Sequence, residues 1–100
     1  INQVEGGIVQ AISWTLKERL RWDEQGFVAP SWDDYDVIRF DEVPSLEVRL
    51  IESSANRSLG VGECAAGPTA AAVGNALKQA LGVRLVDMPL TYESIVAALA

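Results

Sequence analysis

Val4, Ile8, Ile12, Leu16 and Leu20 recur at every fourth position, with Ala11 beside them, and draw one apolar stripe through the start of the chain. Residues four apart share a helix face, so this spacing predicts an amphipathic helix whose stripe the rest of the chain must cover. Glu5, Lys17, Glu18, Arg19 and Arg21 fall mostly off the stripe. Gly6 and Gly7 interrupt it. Each glycine costs a helix interior about 1 kcal/mol relative to alanine. A pair held at that cost points to a close approach by another backbone or by a ligand.

The material for covering that stripe is limited. A chain of 100 residues allows one domain and one modest core. Apolar residues make up 49%, a globular proportion, but many of them are alanine. Charged residues, at 22%, are too few for a disordered chain. The helical pattern is already under way at Ile1, and the first residue is not methionine, so the sequence reads as a piece of something longer.

Fourteen acids against eight bases give a net charge of −6, and there is no histidine. The bases are scattered, without the basic stripe that a nucleic acid or an anionic membrane surface would require. No apolar run among these 100 residues is long enough to span a bilayer or reads as a signal peptide, and localisation stays open because the piece is expected to continue upstream. The single Cys64 excludes an internal disulfide and selects no compartment.

Further along, residues 20–29 read as a hairpin turning at Asp23–Gly26 and ended by Pro30. From Ser31 to Pro44 the chain reads as extended and irregular. Trp32, Tyr35, Val37, Ile38 and Phe40 are its apolar anchors, between Asp33, Asp34, Asp36 and Asp41. Residues 45–52 alternate as a strand: Leu46, Val48 and Leu50 one way, Glu47, Arg49 and Ile51 the other. A polar loop follows. A second long helix has Pro68 in its first turn and Gly82 just past its end, with Ala70, Val73, Leu77 and Leu81 as its apolar face. Thr91 caps a short last helix, with Glu93 near its start. The expected architecture is α+β: two long helices packed on a small, mostly antiparallel sheet, with a short C-terminal helix.

One segment carries the candidate chemistry. "LGVGECAAGPTAAA", Leu59 to Ala72, runs from a glycine-punctuated loop into the second helix with Glu63 at the joint. One reading makes Glu63 an acid favoured by the positive end of a helix dipole. The other makes it a general base: Gly60 and Gly62 permit close approach to a bound group, and alanine walls that partly desolvate a carboxylate make it a stronger proton acceptor. A phosphate cradle is disfavoured, because the spacing is wrong, no lysine follows and Glu63 would repel the anion. Gln10 is either a solvent-facing amide or one that pairs with a polar cofactor edge. Cys64 reads as a small buried hydrophobe, and Trp14, Trp22 and Trp32 as packing residues. No protein-built metal site is expected. Zinc and iron–sulfur sites draw on histidine and clustered cysteine, and Asp33, Asp34 and Asp36 lack a calcium-loop pattern.

Four ordered blocks carry a resemblance: "NQVEGGIVQAISWTLKE" from Asn2, "DYDVIRFDEVP" from Asp34, "GVGECAAGPTAAAVGNAL" from Gly60 and "GVRLVDMPLT" from Gly82. Together they resemble the C-terminal end of the molybdopterin-binding large subunit of the xanthine dehydrogenase/aldehyde oxidase family, in its isoquinoline 1-oxidoreductase and nicotinate dehydrogenase flavour. The resemblance covers essentially all of the chain and implies that residues 1–100 are one C-terminal piece of a molybdenum-cofactor-binding domain. It implies oxidative hydroxylation of an N-heteroaromatic ring or an aldehyde with oxygen from water. The molybdenum is carried by a pterin dithiolene, without a protein ligand. In this resemblance Glu63 is the general base, Val61 and Gly62 line the loop beside the metal, and Gln10 hydrogen-bonds the pterin. The implied partners are the remainder of the large subunit, a small subunit or domain holding iron–sulfur clusters, and a small-molecule substrate. The piece alone is expected neither to hold cofactor tightly nor to turn over substrate, and its uncovered apolar surface makes self-association an expectation. The rival reading is a non-catalytic assembly module in which Glu63 is only a helix-end acid. Cytoplasm and periplasm are both compatible with these residues.

Overall fold

The structure, a computed structural model, describes residues 1–28, 31–54, 57 and 59–100. In chain order it contains α1 (Asn2–Leu16), β1 (Trp22–Asp23), β2 (Gly26–Phe27), a 3-10 turn (Phe40–Glu42), α2 (Ala66–Leu81) and α3 (Tyr92–Leu99). The α+β expectation holds.

The two long helices rest on each other. The face of α1 carrying Val4, Ile8 and Ile12 is half-buried to buried, and the expected face of α2, Ala70, Val73, Leu77 and Leu81, is half-buried throughout. Gly7 sits at the contact: a Cβ added there would lie 3.5 Å from the Cβ of Ala65, just before α2 begins. α2 stops as its sequence predicts. Gly82 takes a left-handed φ of 75° and its N–H donates to the Lys78 carbonyl at 2.9 Å.

α1 ends one turn before its stripe does. The N–H groups of Lys17 and Glu18 both donate to the Ser13 carbonyl, at 2.9 and 3.2 Å, and Leu20 is left exposed beyond them. The hairpin that follows is shorter than the sequence suggested. Trp22 stands opposite Phe27 and Asp23 opposite Gly26 in one antiparallel ladder. Asp23 Oδ1 accepts from the Gln25 N–H at 2.7 Å, and Gly26 takes φ 117°, which favours glycine. Ala29 and Pro30, where the second strand was expected to end, lie outside the described residues.

The core is small and centred on the second half of α1: Ala11, Ile12, Ser13 and Thr15, with Leu90 packed in from the far end of the chain. Two hydrogen bonds fasten distant segments to it. Ser13 Oγ accepts from the Ile38 N–H at 3.0 Å, and the Leu90 N–H donates to the Thr15 carbonyl at 2.7 Å. Thr91, next in sequence, caps α3 by accepting from the Ser94 N–H at 3.3 Å, as its sequence position predicts.

Three expectations change. Residues 45–52 join no ladder among the described residues, although Leu46 and Val48 are half-buried as the alternation predicts. Trp22 and Trp32 are exposed rather than packed. Cys64 is exposed and free. One physical cause underlies all three: the chain does not cover its own apolar surface. Its accessible area is 8134 Å². A compact monomer of this mass exposes roughly 5,500 Å². Its radius of gyration is 16.6 Å, against about 13 Å for a compact chain of this length. Phe40 is fully exposed and Ile51 96% exposed. Among the described residues no helix is long and apolar enough to cross a membrane.

Candidate functional site

Glu63 lies in the turn that leads into α2, with its side chain exposed and without a hydrogen bond or ion pair among the described residues. Its carbonyl accepts from the Ala66 N–H at 3.2 Å, which starts the helical turn. The N-cap of α2 is Ala65, which offers no side-chain cap, and no acid stands in the first turn of the helix. Glu63 therefore does not cap α2. Nor is it walled by alanines: Ala65 and Ala66 are half-buried, and Ala65 meets α1 instead.

The loop before Glu63 is held by a residue that its sequence position alone does not single out. Gln3 Nε2 donates to the Gly62 carbonyl at 2.9 Å, across 59 positions of sequence. This bond fastens the first turn of α1 to the glycine loop. The signal for it was the spacing of the two glutamines. Gln3 and Gln10 are seven residues apart, two turns of helix, so they share a face about 10 Å apart along the axis. Gly6 and Gly7 lie between them in sequence, with Gly6 toward that face. At Gly6, Gly60 and Gly62 an added Cβ would meet nothing within 4 Å.

The result is an open, shallow surface. Gln3, Gly6 and Gln10 form one side, and Val61, Gly62 and Glu63 approach from the end at Gln3. Of the expected site residues, the structure brings Gly62 and Glu63 to α1 through Gln3, and it leaves Gln10 exposed two turns further along. Val61 is also exposed. The surface offers amides that both donate and accept and one carboxylate without a partner among the described residues. Among the described residues no cluster of three or more His, Cys, Asp or Glu side chains could hold a metal ion.

A cavity of about 600 Å³ lies elsewhere, lined by Glu18, Leu20, Phe27, Trp32, Tyr35 and their neighbours. It touches none of the expected site residues. Tyr35 donates from its hydroxyl to Glu18 Oε2 at 3.0 Å. Burial first, and the hydrogen bond to Glu18 second, hold the Tyr35 phenol above its usual range. Just past α1, Lys17 pairs with both carboxylate oxygens of Glu42, at 2.6 and 2.8 Å, and with Asp36 at 3.5 Å. The hydrogen bond from Lys17 and then that from the Arg39 N–H hold the Glu42 carboxyl below its usual range. Bonding to Glu42 raises Lys17. These pairs brace the 3-10 turn against α1 and leave the glycine loop untouched.

The molybdopterin cofactor-binding domain family matches residues 1–44, the stretch holding Gln3, the glycine pair and Gln10. Over 98 residues the chain is 34% identical to one of the subunits of nicotinate dehydrogenase from Pseudomonas putida, covering 98% of this chain and 8% of that protein. It is 36% identical over 105 aligned positions to the nicotine 6-hydroxylase large subunit of Paenarthrobacter nicotinovorans, covering 97% of this chain and 13% of that protein. The β-subunit of isoquinoline 1-oxidoreductase from Brevundimonas diminuta is 32% identical over 88 residues, covering 88% of this chain and 11% of that protein. The class these matches define is that of molybdopterin cofactor-binding domains. The chain belongs to the molybdenum hydroxylase family. It spans about a tenth of the length of these relatives.

Proposed function

We propose that this chain supplies the proton acceptor and part of the cofactor wall of a molybdenum hydroxylase. That enzyme would hydroxylate an N-heteroaromatic ring or an aldehyde with water as the oxygen source. The observation that carries the reading is the Gln3–Gly62 hydrogen bond. It ties Gly62, the residue before Glu63, to the face of α1 that carries Gln3, Gly6 and Gln10, and Glu63 is free of any partner among the described residues.

The residues present fit a pterin-borne metal. A pterin edge alternates donors and acceptors, and a primary amide offers both at one side chain. At Gly6, Gly60 and Gly62 an added Cβ meets nothing within 4 Å, and in this reading the group lies against Gly6. When bound, the molybdenum–pterin group supplies the two-electron oxidation. The chain's own contributions are three. Gln10 holds the pterin edge. The backbone of Val61 and Gly62 approaches closely and keeps bulk away. Glu63 takes up a proton on a carboxylate oxygen, and a positioned base of this kind is worth about 10²- to 10⁴-fold in rate.

The uncovered apolar surface supports a place inside a larger body, with the remainder of the large subunit against it. An iron–sulfur subunit carries the electrons onward in this reading. Three relatives are named for nicotinate, nicotine and isoquinoline, all N-heteroaromatic compounds, which favours that substrate class. The rival assembly-module reading keeps Glu63 as an acid beside the positive end of α2, a role that needs no side-chain cap. Glu63→Gln in the full-length parent tests the two. Near-complete loss of hydroxylation with molybdenum content intact supports catalysis; unchanged activity leaves only assembly.

A further inference from the structure

Glu63 stands between two contacts that α1 makes. Just before it, the Gly62 carbonyl accepts from Gln3 Nε2 at 2.9 Å. Two residues after it, half-buried Ala65 faces Gly7, where an added Cβ would lie 3.5 Å from the Ala65 Cβ. Gln3 and Gly7 are four residues apart, so they share a face of α1 about 6 Å apart along its axis. One turn of one helix therefore receives both ends of the short turn that presents the acid.

The rest of the chain holds this turn less directly. Among the described residues, the Gln3 amide is the one hydrogen-bonding group outside residues 59–69 that reaches residues 59–65. At Gly60 and Gly62 an added Cβ meets nothing within 4 Å. Ala65 is tied into α2, its carbonyl accepting from the Thr69 N–H at 3.1 Å and from the Thr69 hydroxyl at 2.7 Å. How closely the turn seats on α1 is thus set where Ala65 meets Gly7. Glycine weakens a helix interior, and α1 carries one at that position. At 3.5 Å one methyl just fits, and anything longer meets the turn.

We propose that Gly7 is a positioning residue for Glu63: by carrying no side chain it lets the Gly62–Ala65 turn seat against α1 and so fixes how far the carboxylate reaches. The inference rests on the reading of Glu63 as the proton acceptor. It assigns the acid's placement to α1 rather than to the end of α2. A proton acceptor works only within hydrogen-bond reach of the proton it takes, and a misplacement of about 1 Å can cost about 100-fold in rate.

The test uses the cofactor-loaded full-length protein and the compound it oxidises fastest among N-heteroaromatic rings and aldehydes. Single-turnover rates are expressed per molybdenum atom. Gly7→Ala, Gly7→Val and Gly7→Leu are expected to slow the reaction in order of size, leucine by about tenfold or more. Adding Ala65→Gly, a residue that an N-cap tolerates, makes room and recovers part of that loss. In a Glu63→Gln background the leucine is expected to cost less than about twofold further, because the acid it displaces is already gone. A crystal structure of the Gly7→Leu protein is expected to show residues 62–65 moved away from α1. An unmoved turn, a rate per molybdenum equal to wild type, or an equal loss with and without Glu63 overturns the proposal. If Glu63→Gln is slow while Gly7→Leu is not, only this inference fails; if Glu63→Gln reacts at the wild-type rate, the proton-acceptor reading beneath it fails.

Discussion

Gln3 and Gly62 are joined by a 2.9 Å hydrogen bond from a side-chain amide to a main-chain carbonyl, and through it the first turn of α1 positions the loop that ends in Glu63. The bond is exposed, so its net worth is at the low end of the range for neutral hydrogen bonds, about 0.5 kcal/mol. Its role is placement more than stability. Gln3→Leu is expected to leave the thermal midpoint nearly unchanged while backbone order parameters at residues 61–64 fall and those in α2 do not. NMR relaxation checks this, and unchanged order at 61–64 would release the loop from Gln3.

The glycine pair separates two roles. An added Cβ at Gly7 meets Ala65 Cβ at 3.5 Å, ordinary contact, and at Gly6 it meets nothing. In the chain by itself, Gly6→Ala and Gly7→Ala are each expected to stabilise α1 by about 1 kcal/mol through helix propensity. Gly7→Leu overfills the contact with Ala65 and is expected to destabilise the α1–α2 pair. In the full-length protein Gly6→Ala is expected to lower molybdenum retention despite the firmer helix, because it fills the face assigned to the pterin. Thermal melts of the chain and metal analysis of the full-length protein read the two effects apart.

Thr15 is fully buried, and its hydroxyl has no hydrogen-bond partner among the described residues. A buried hydroxyl without a partner is a net cost, and valine fills the same shape without it. Thr15→Val is expected to raise stability by about 1 kcal/mol, several degrees in Tm for a chain of this size. Differential scanning calorimetry checks the sign.

The Lys17–Glu42 pair gives a pH dependence. Glu42 is held below its ordinary value of 4.5 by the Lys17 hydrogen bond. Its contribution is therefore complete above the unfolded value and is lost as pH falls through the lower folded one. Lys17 is raised from 10.5, so its share is complete below that value and is lost as pH rises through the higher folded one. The brace between α1 and the 3-10 turn is expected to hold across neutral pH and to loosen in acid below about 4.5. Glu42→Gln should flatten that acid limb in a pH series of thermal melts.

Local rules carried most of the fold. The four-residue stripe placed α1, Pro68 and Gly82 bounded α2, Thr91 capped α3, and Asp23–Gly26 turned the hairpin; each is a property of a few neighbouring residues. What the sequence misjudged depends on cover from outside the chain. Cys64, Trp22 and Trp32 are apolar by type, and nothing among the described residues buries them. The strand at 45–52 has its alternation but no neighbour, because a ladder needs a second strand and the pattern of one cannot supply it. In the candidate site, the glycine loop and the acid at its end stand out in the sequence, while the role proposed for Glu63 rests on the family resemblance. The bond from Gln3 was not, since it spans 59 positions and leaves only the seven-residue spacing to Gln10 as a trace.

The central claim is that Glu63 accepts a proton during turnover. The most direct measurement is the rate at which substrate reduces the cofactor-loaded full-length protein in a single turnover, compared among wild type, Glu63→Gln and Glu63→Asp. The account predicts a fall of about 100-fold or more for the glutamine variant at undiminished molybdenum content, with part of the rate kept by aspartate. A glutamine variant that reacts at the wild-type rate would contradict it.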